Sequence, residues 1–333
     1  MTEAISDNIY RIVVPLPGSP LKSLNAYCIT GQDRHLLIDT GFNQPTCLEA
    51  LTAALRDLGV DRRRLDICIT HVHADHAGLA AALTEGSDGT IWCSAGDGKI
   101  INEHAQANDE VHYARYAQRI LPHGFSSQQV RDLVRNHPGI IYCSPVLSFT
   151  PIQDGDELRY GDCVLRVIGT PGHTPSHIAL YEAGRKLLFA GDHILGDITP
   201  NITRWPEVSD SLGEYLGSLD AVSRLDIALT LPGHRSLIQD TQARIGQIQA
   251  HHARRLAEVR RILADGPASA YTIASRMTWE MRYASWEDFP VAQKWFAIGE
   301  ALAHLDWLVA RKEVEEQTRK ESVLFAPHAL ASH

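Results

Sequence analysis

The sequence predicts an α+β protein whose strand-rich part carries a helical insertion and is followed by a separate helical module. Three observations predict it. Short apolar and β-branched runs alternate with helical patterns up to about residue 96 and return between 163 and 231. Residues 97–136 show no strand pattern and read as helices broken at PHGFS. After His234 come three helical segments and a short charged and apolar tail, KEVEEQTRKESVLFAP, the pattern of a winged-helix module. A chain of 333 residues suits one large domain with an appendage. The expected division is 1–245, carrying the insertion at about 97–136, and 246–333.

The elements follow in order. IYRIVV (9–14), AYCIT (26–30) and HLLI (35–38) read as strands separated by LPGSP and GQD, and they end in the tight turn Asp39-Thr40-Gly41. Cys47 to Gly59 has apolar positions at helical spacing and a glycine stop. LDICI and TIWCS are buried strands, with HAGLAAALTE between them as a helix. Strands return at 163–168, 178–182, 186–190 and 226–231, and helices cover most of the chain beyond His234.

Bulk properties exclude some functions. The net charge of -9 argues against a surface built to hold nucleic acid, and basic and acidic residues balance in the C-terminal module, where a DNA-reading winged helix carries a basic excess. The start, MTEAISDNIYRIVVPLPG, is acidic where a signal peptide is basic, and no run is long enough to span a bilayer, so a cytoplasmic protein without a membrane partner is expected. The six cysteines sit in apolar segments without a C-x-x-C pair and read as reduced, buried residues.

Chemistry concentrates in THVHADHAGLA, Thr70 to Ala80. Neutral imidazoles and carboxylates are the usual ligands of zinc and related first-row metals. His71 and His73, two apart in an extended segment, point the same way, and Asp75 and His76 fall on the turn into the next helix, so two metals could be served. Three later strand ends offer further ligands: His173 in VIGTPGHTPSH, Asp192 in LLFAGDHILG and His234 in IALTLPGHRS. His193 can either act on substrate or pack in the sheet. Tyr113 and Tyr116 in the insertion, and Arg204 and Trp205 in ITPNITRWPEV, are candidate substrate contacts whose alternative is packing or loop anchorage.

The series T-H-x-H-x-D-H, G-H-T-P-x-H, G-D and P-G-H, in this order from about Asn8 to Leu237, resembles the metallo-β-lactamase-fold hydrolases. The C-terminal part resembles the winged-helix extension of their glyoxalase II-like and lactamase-beta-2-like branch. The resemblance implies an αββα sandwich with metals at one edge. The first metal would be held by His71, His73 and His173, the second by Asp75, His76 and His234, with Asp192 bridging. Asp39 and His177 match positions behind the ligands, which orient them.

Two divalent ions about 3.5–4 Å apart, zinc first with manganese or iron as alternatives, would activate a metal-bound hydroxide for attack on an acyl or phosphoryl centre. Asp75 is then the natural proton acceptor, with His193 the candidate donor to the leaving group. The expected activity is hydrolysis of a carboxylic thioester or ester of the acyl-CoA or glutathione-thioester type. The alternatives are a single-strand-specific endoribonuclease, a lactonase, and a metal-containing sensor of weak activity. A small acyl substrate is the expected partner, and the apolar C-terminal helices are compatible with a homodimer.

Overall fold

The computed structural model describes residues 1–280, 283–320 and 322–328; the last five residues of the expected C-terminal module lie outside this range. The chain forms two compact units. The first comprises 1–106, 138–200 and 217–245, and the second 107–137, 201–216 and 246–333. No helix among the described residues is long and apolar enough to cross a membrane.

In the first unit, strands β1 (Thr2–Ser6), β2 (Ile9–Pro15), β3 (Ser23–Ile29) and β4 (His35–Ile38) form an antiparallel meander. Helix α1 (Pro45–Asp57) begins on a proline, whose fixed φ suits a first turn, and ends before Gly59 at φ 71°. Strands β5 (Leu65–Cys68), β6 (Ile91–Ser94) and β7 (Thr150–Ile152) then join β4 in parallel and complete a seven-stranded sheet. Between β5 and β6 the chain forms two short helices, α2 (Ala74–Ala77) and α3 (Ala80–Thr84), where one was expected. The chain leaves the helical path at Leu79, with φ -92° and ψ 1°, while the helical Gly78 before it sits where a Cβ would lie 2.6 Å from both Asn43 N and Gly41 O, an approach to main chain that only glycine allows. Helix α4 (Ala95–Gln106) follows β6.

In the second unit, α5 (Asp109–Ile120) and α6 (Ser127–Asn136) form the rest of the inserted segment. Ser126 and Gln129 close a capping box at the start of α6, satisfying two otherwise orphaned backbone donors. A single turn, α7 (Pro138–Ile141), returns the chain to the first unit.

The second sheet holds β8 (Glu157–Tyr160), β9 (Cys163–Gly169), β10 (Ile178–Glu182), β11 (Leu187–Gly191) and β12 (Leu229–Pro232) in the order β12-β11-β10-β9-β8. Sequence reading overlooks β1, β7 and β8: the first is largely exposed, the second spans only three residues and includes a proline, and the third alternates over only four residues. The inward faces of the two sheets share one core, including Ile29, Leu36 and Ile38 from the first and Leu165, Leu180 and Phe189 from the second. Tyr27 and Phe189 meet edge to face across it at 5.4 Å. This is the two-sheet sandwich that the motif resemblance implies.

Helix α8 (Ser211–Val222) was not anticipated, and the units divide within it and again within α9 (Thr241–Leu263). The second unit continues with α10 (Ala270–Arg276), α11 (Val291–Ala310) and the antiparallel hairpin β13 (Val314–Arg319) and β14 (Ser322–Pro327). The C-terminal part therefore has the expected three helices and hairpin.

Strand direction explains where chemistry can gather. β4, β5 and β6 are parallel, and β9, β11 and β12 run in one common direction, because β10 is antiparallel to β9 and β11 while β12 is parallel to β11. Each of these strands releases a ligand-bearing or ligand-supporting loop from its C-terminal end.

Candidate metal centre

Those loops bring together all seven residues expected as ligands, each buried or nearly so. One group of donor atoms is supplied by His71, His73, His173 and Asp192, the other by Asp75, His76 and His234, with the donors in each group within 4.8 Å of one another. In the first group, His73 Nδ1 lies 3.0 Å from both His71 Nε2 and His173 Nε2. In the second, His234 Nε2 lies 3.3 Å from His76 Nε2 and 3.3 Å from Asp75 Oδ2. Asp192 faces both: Oδ2 is 3.7 Å from His173 Nε2, while Oδ1 is 3.5 Å from His76 Nε2 and 3.6 Å from His234 Nε2.

Three ligand tautomers follow from their partners. Ser23 O can only accept, so His234 donates from Nδ1, at 2.7 Å, and turns the Nε2 lone pair inward. His76 donates from Nδ1 to Asp39 Oδ2 at 2.7 Å, which frees its Nε2 in the same way. Thr70 donates its hydroxyl proton to Asp39, so its oxygen accepts from His71 Nδ1 at 2.9 Å and His71 Nε2 also points its lone pair inward. Lone pairs converging on a common point repel unless a cation or protons stand between them. Two nitrogens on one tetrahedral zinc ion lie about 3.3 Å apart, given Zn–N bonds of about 2.0–2.1 Å. The observed spacings and the buried Asp192 Oδ1, which accepts no hydrogen bond among the described residues, fit divalent cations.

The electrostatics divide the donor set: burial lowers His76 and His234, but Asp39 and Asp192 for the first and Asp192 and Asp75 for the second outweigh it and raise both, so these two hold positive charge, as a proton or as a cation in its place. Burial pushes His73 down to about 3, with His173 adding to the effect, so its imidazole is neutral at pH 7. His71 is likewise held well below the usual value by burial and then by its histidine neighbours. Burial raises the Asp75 carboxyl, but His234 and His76 facing it outweigh that effect and bring it to about 2. Burial also opposes ionisation of Asp192, yet His234, His76 and His173 hold it well below the ordinary carboxylate range.

Behind the ligands, Asp39 occupies φ 60° and accepts hydrogen bonds from Thr70 N at 2.9 Å, from the Thr70 hydroxyl and from His76. His177 Nε2 accepts from the Asp192 main-chain N–H at 3.2 Å, so its Nδ1 donates to Thr170 Oγ1 at 2.7 Å. Both residues therefore stand where they could orient ligands, as the motif resemblance implies. His193 is fully buried, its ring 6.2 Å from that of His177, and burial followed by the charge of His173 pushes it down to about 3.

The four candidate substrate contacts belong to the second unit. Arg204 donates to Asp306 from Nε at 2.7 Å and to Glu316 from Nη2 at 3.1 Å, so its charge is already matched and the geometry is that of a loop anchor. Tyr116 is buried against His137 and Trp295, with ring separations of 5.4 and 5.2 Å. Trp205 is buried with the Arg119 guanidinium 6.0 Å from its ring, and half-buried Tyr113 has Arg131 at the same distance.

Three supporting residues escaped the sequence reading. Asn25 Nδ2 donates to Pro232 O and Arg235 O, both at 3.0 Å, and Tyr27 donates to Pro232 O at 2.8 Å, so β3 holds the turn bearing His234. Asp97, completely buried in the first turn of α4, joins the loops of His73 and His173. Its only sequence signal was an aspartate just after the strand beside β5.

Comparison with known proteins agrees with this picture. Residues 21–234 match the family described as the Metallo-beta-lactamase superfamily, and residues 256–325 match the domain described as "Metallo-beta-lactamase-like, C-terminal domain". The protein named "Probable metallo-hydrolase YqjP" of Bacillus subtilis is 26% identical over 338 residues, covering 96% of this chain and 98% of that one. The "Beta-lactamase-like protein 2 homolog" of Caenorhabditis elegans is 25% identical over 265 residues, covering 79% and 73%. Among solved structures, a Beta-lactamase domain protein from Burkholderia ambifaria superposes with a TM-score of 0.83 at 25% identity, covering 98% of this chain and 93% of that one. A metallo-beta-lactamase family protein from Thermus thermophilus gives 0.79 at 27% identity, with 97% and 100% covered.

Proposed function

Because the chain belongs to the metallo-beta-lactamase superfamily, we propose that it is a hydrolase binding two divalent cations, zinc in the first instance, and cleaving a carboxylic thioester or ester of a small acyl substrate. The observation that carries the reading is Asp192, whose two oxygens face two separate histidine-rich donor sets. His71, His73 and His173 would hold one cation and Asp75, His76 and His234 the other, with Asp192 between them. A divalent cation so held lowers the pKa of bound water towards about 7 and polarises an acyl oxygen.

The chain's own residues complete the chemistry. The Asp75 carboxylate, beside His234, accepts the proton released as water attacks the acyl carbon. Asp39 keeps His76 donating from Nδ1, and His177 fixes the main chain at Asp192, so the ligands are oriented before substrate arrives. No serine or cysteine nucleophile is required. The net charge of -9 favours a small acyl compound over a polyanion such as RNA, and the motif order, closest to glyoxalase II-like enzymes, favours a thioester.

The test is hydrolysis of a short panel of acyl-thioesters by the purified, zinc-loaded protein, followed by free-thiol release, with a chelator-treated control and single-stranded RNA in parallel. Chelator-sensitive thiol release is expected. Cleavage of RNA alone, or inertness towards every thioester and the corresponding esters, overturns the reading.

A further inference from the structure

We infer that Asp97 is a positioning residue for one of the two cations, clamping together the two loops that supply His71, His73 and His173; the inference rests on the two-cation reading above. Its two carboxylate oxygens accept hydrogen bonds from both loops. Oδ2 accepts from Val72 N at 3.0 Å and from Thr174 Oγ1 at 2.5 Å, and Oδ1 accepts from Ser176 N at 3.0 Å. Val72 separates His71 from His73, Thr174 follows His173, and Ser176 precedes His177.

A clamp is needed here because β5 and β9, the strands that launch these loops, belong to different sheets and share no ladder. The main-chain bond from Ile178 N to Thr70 O, at 3.0 Å, ties only the roots of the loops. Beyond it, the spacing of His73 from His173 depends on side chains, and Asp97 bonds to a neighbour of each. The clamp arises from a third strand, since β6 places the first turn of α4 against the His173 loop. A Cβ on Gly96 would lie only 2.1 Å from Ser176 Oγ, which shows how closely the helix start approaches. Three donors converging on one buried carboxylate make it a strong and directional joint. Asp39, Ser23 and Asn25 support the side of Asp75, His76 and His234.

The test is zinc binding by the full-length apo-protein, titrated against a chromophoric chelator, with apo-protein melting measured alongside. Asp97→Asn keeps the size of the side chain but replaces one acceptor with a donor. Thr174→Val removes a single bond and keeps the fold testable should Asp97→Asn prove unstable. Asp97→Asn should weaken one of the two zinc equivalents by about 10–100-fold, the range for residues that orient metal ligands, and leave the other within about twofold. Thr174→Val should weaken the same equivalent by less, and that equivalent should be the one lost in His73→Ala. Equal weakening of both equivalents, no weakening, or a lower apo melting temperature with unchanged zinc affinity overturns the inference and reduces Asp97 to a fold-stabilising carboxylate. A wild-type chain that binds two zinc ions but hydrolyses no thioester or ester refutes the functional reading alone, whereas one that binds fewer than two refutes both.

Discussion

Replacing Asp192 with alanine should weaken both cations at once. Oδ2 stands 3.7 Å from His173 Nε2 and Oδ1 within 3.6 Å of His76 and His234, so a single truncation removes one donor from each set. A closed four-ligand zinc site is worth about 10–16 kcal/mol at neutral pH, so one ligand's share is about 3–4 kcal/mol, or roughly 100- to 1,000-fold in affinity. Asp192→Ala should therefore come through dialysis against a moderate chelator with less than half an equivalent of metal, where wild type keeps two. Elemental analysis of the dialysed proteins reads this directly, and melting of both apo-proteins checks that the fold survives. Retention of one full equivalent would show that Asp192 belongs to a single site, and retention of two would refute the bridging geometry. The contrast with Asp97→Asn, expected to affect one equivalent only, tests the division of labour between the two carboxylates.

Three further outcomes follow from particular side chains. His193 is fully buried, so His193→Ala should cost about 2–3 kcal/mol in chemical denaturation and leave metal content and the pH profile of turnover unchanged; a displaced profile would return it to proton transfer. Arg204→Ala leaves Asp306 without its main ionic partner and should cost about 3 kcal/mol while KM stays within twofold, whereas a large rise in KM at unchanged stability would make Arg204 a substrate contact. Burial, then the charge of Arg204, pushes buried His123 down to about 4, below the unfolded value of about 6.5. Between these values the unfolded chain takes up the proton first, so stability falls as pH drops. His123 should account for about 2 kcal/mol of the loss between pH 7 and pH 5, and His123→Gln should remove that share; an unchanged pH dependence would show that His123 is not the group responsible.

Much of the site was legible because its histidines and aspartates are residue types that strands do not otherwise need at their ends. His71, His73, Asp75 and His76 crowd one turn, and His173, Asp192 and His234 each follow an apolar strand, so order and spacing were enough to single out the seven residues whose donor atoms the fold gathers. The two-sheet core was legible for a similar reason: runs such as CVLRVI and KLLFA announce their burial. Gly78 was not, because the need for glycine lies in the main chain of residues 41–43, which no periodicity connects to it.

By itself, then, the sequence determined the buried strands of the two-sheet core, the donor residue types and the strand ends that carry them, since these depend on local pattern and on the direction of the chain. Only the tertiary structure decided which atoms meet. It turned His76 and His234 so that Nε2 faces inward, matched Arg204 with Asp306 and Glu316, and set Asp97 between loops from two different sheets. Each of these depends on partners brought close by packing: Asp97 lies 77 residues from Thr174 and Arg204 lies 102 from Asp306. A hydrogen bond is decided within a few tenths of an ångström, a distance that separation along a chain does not encode.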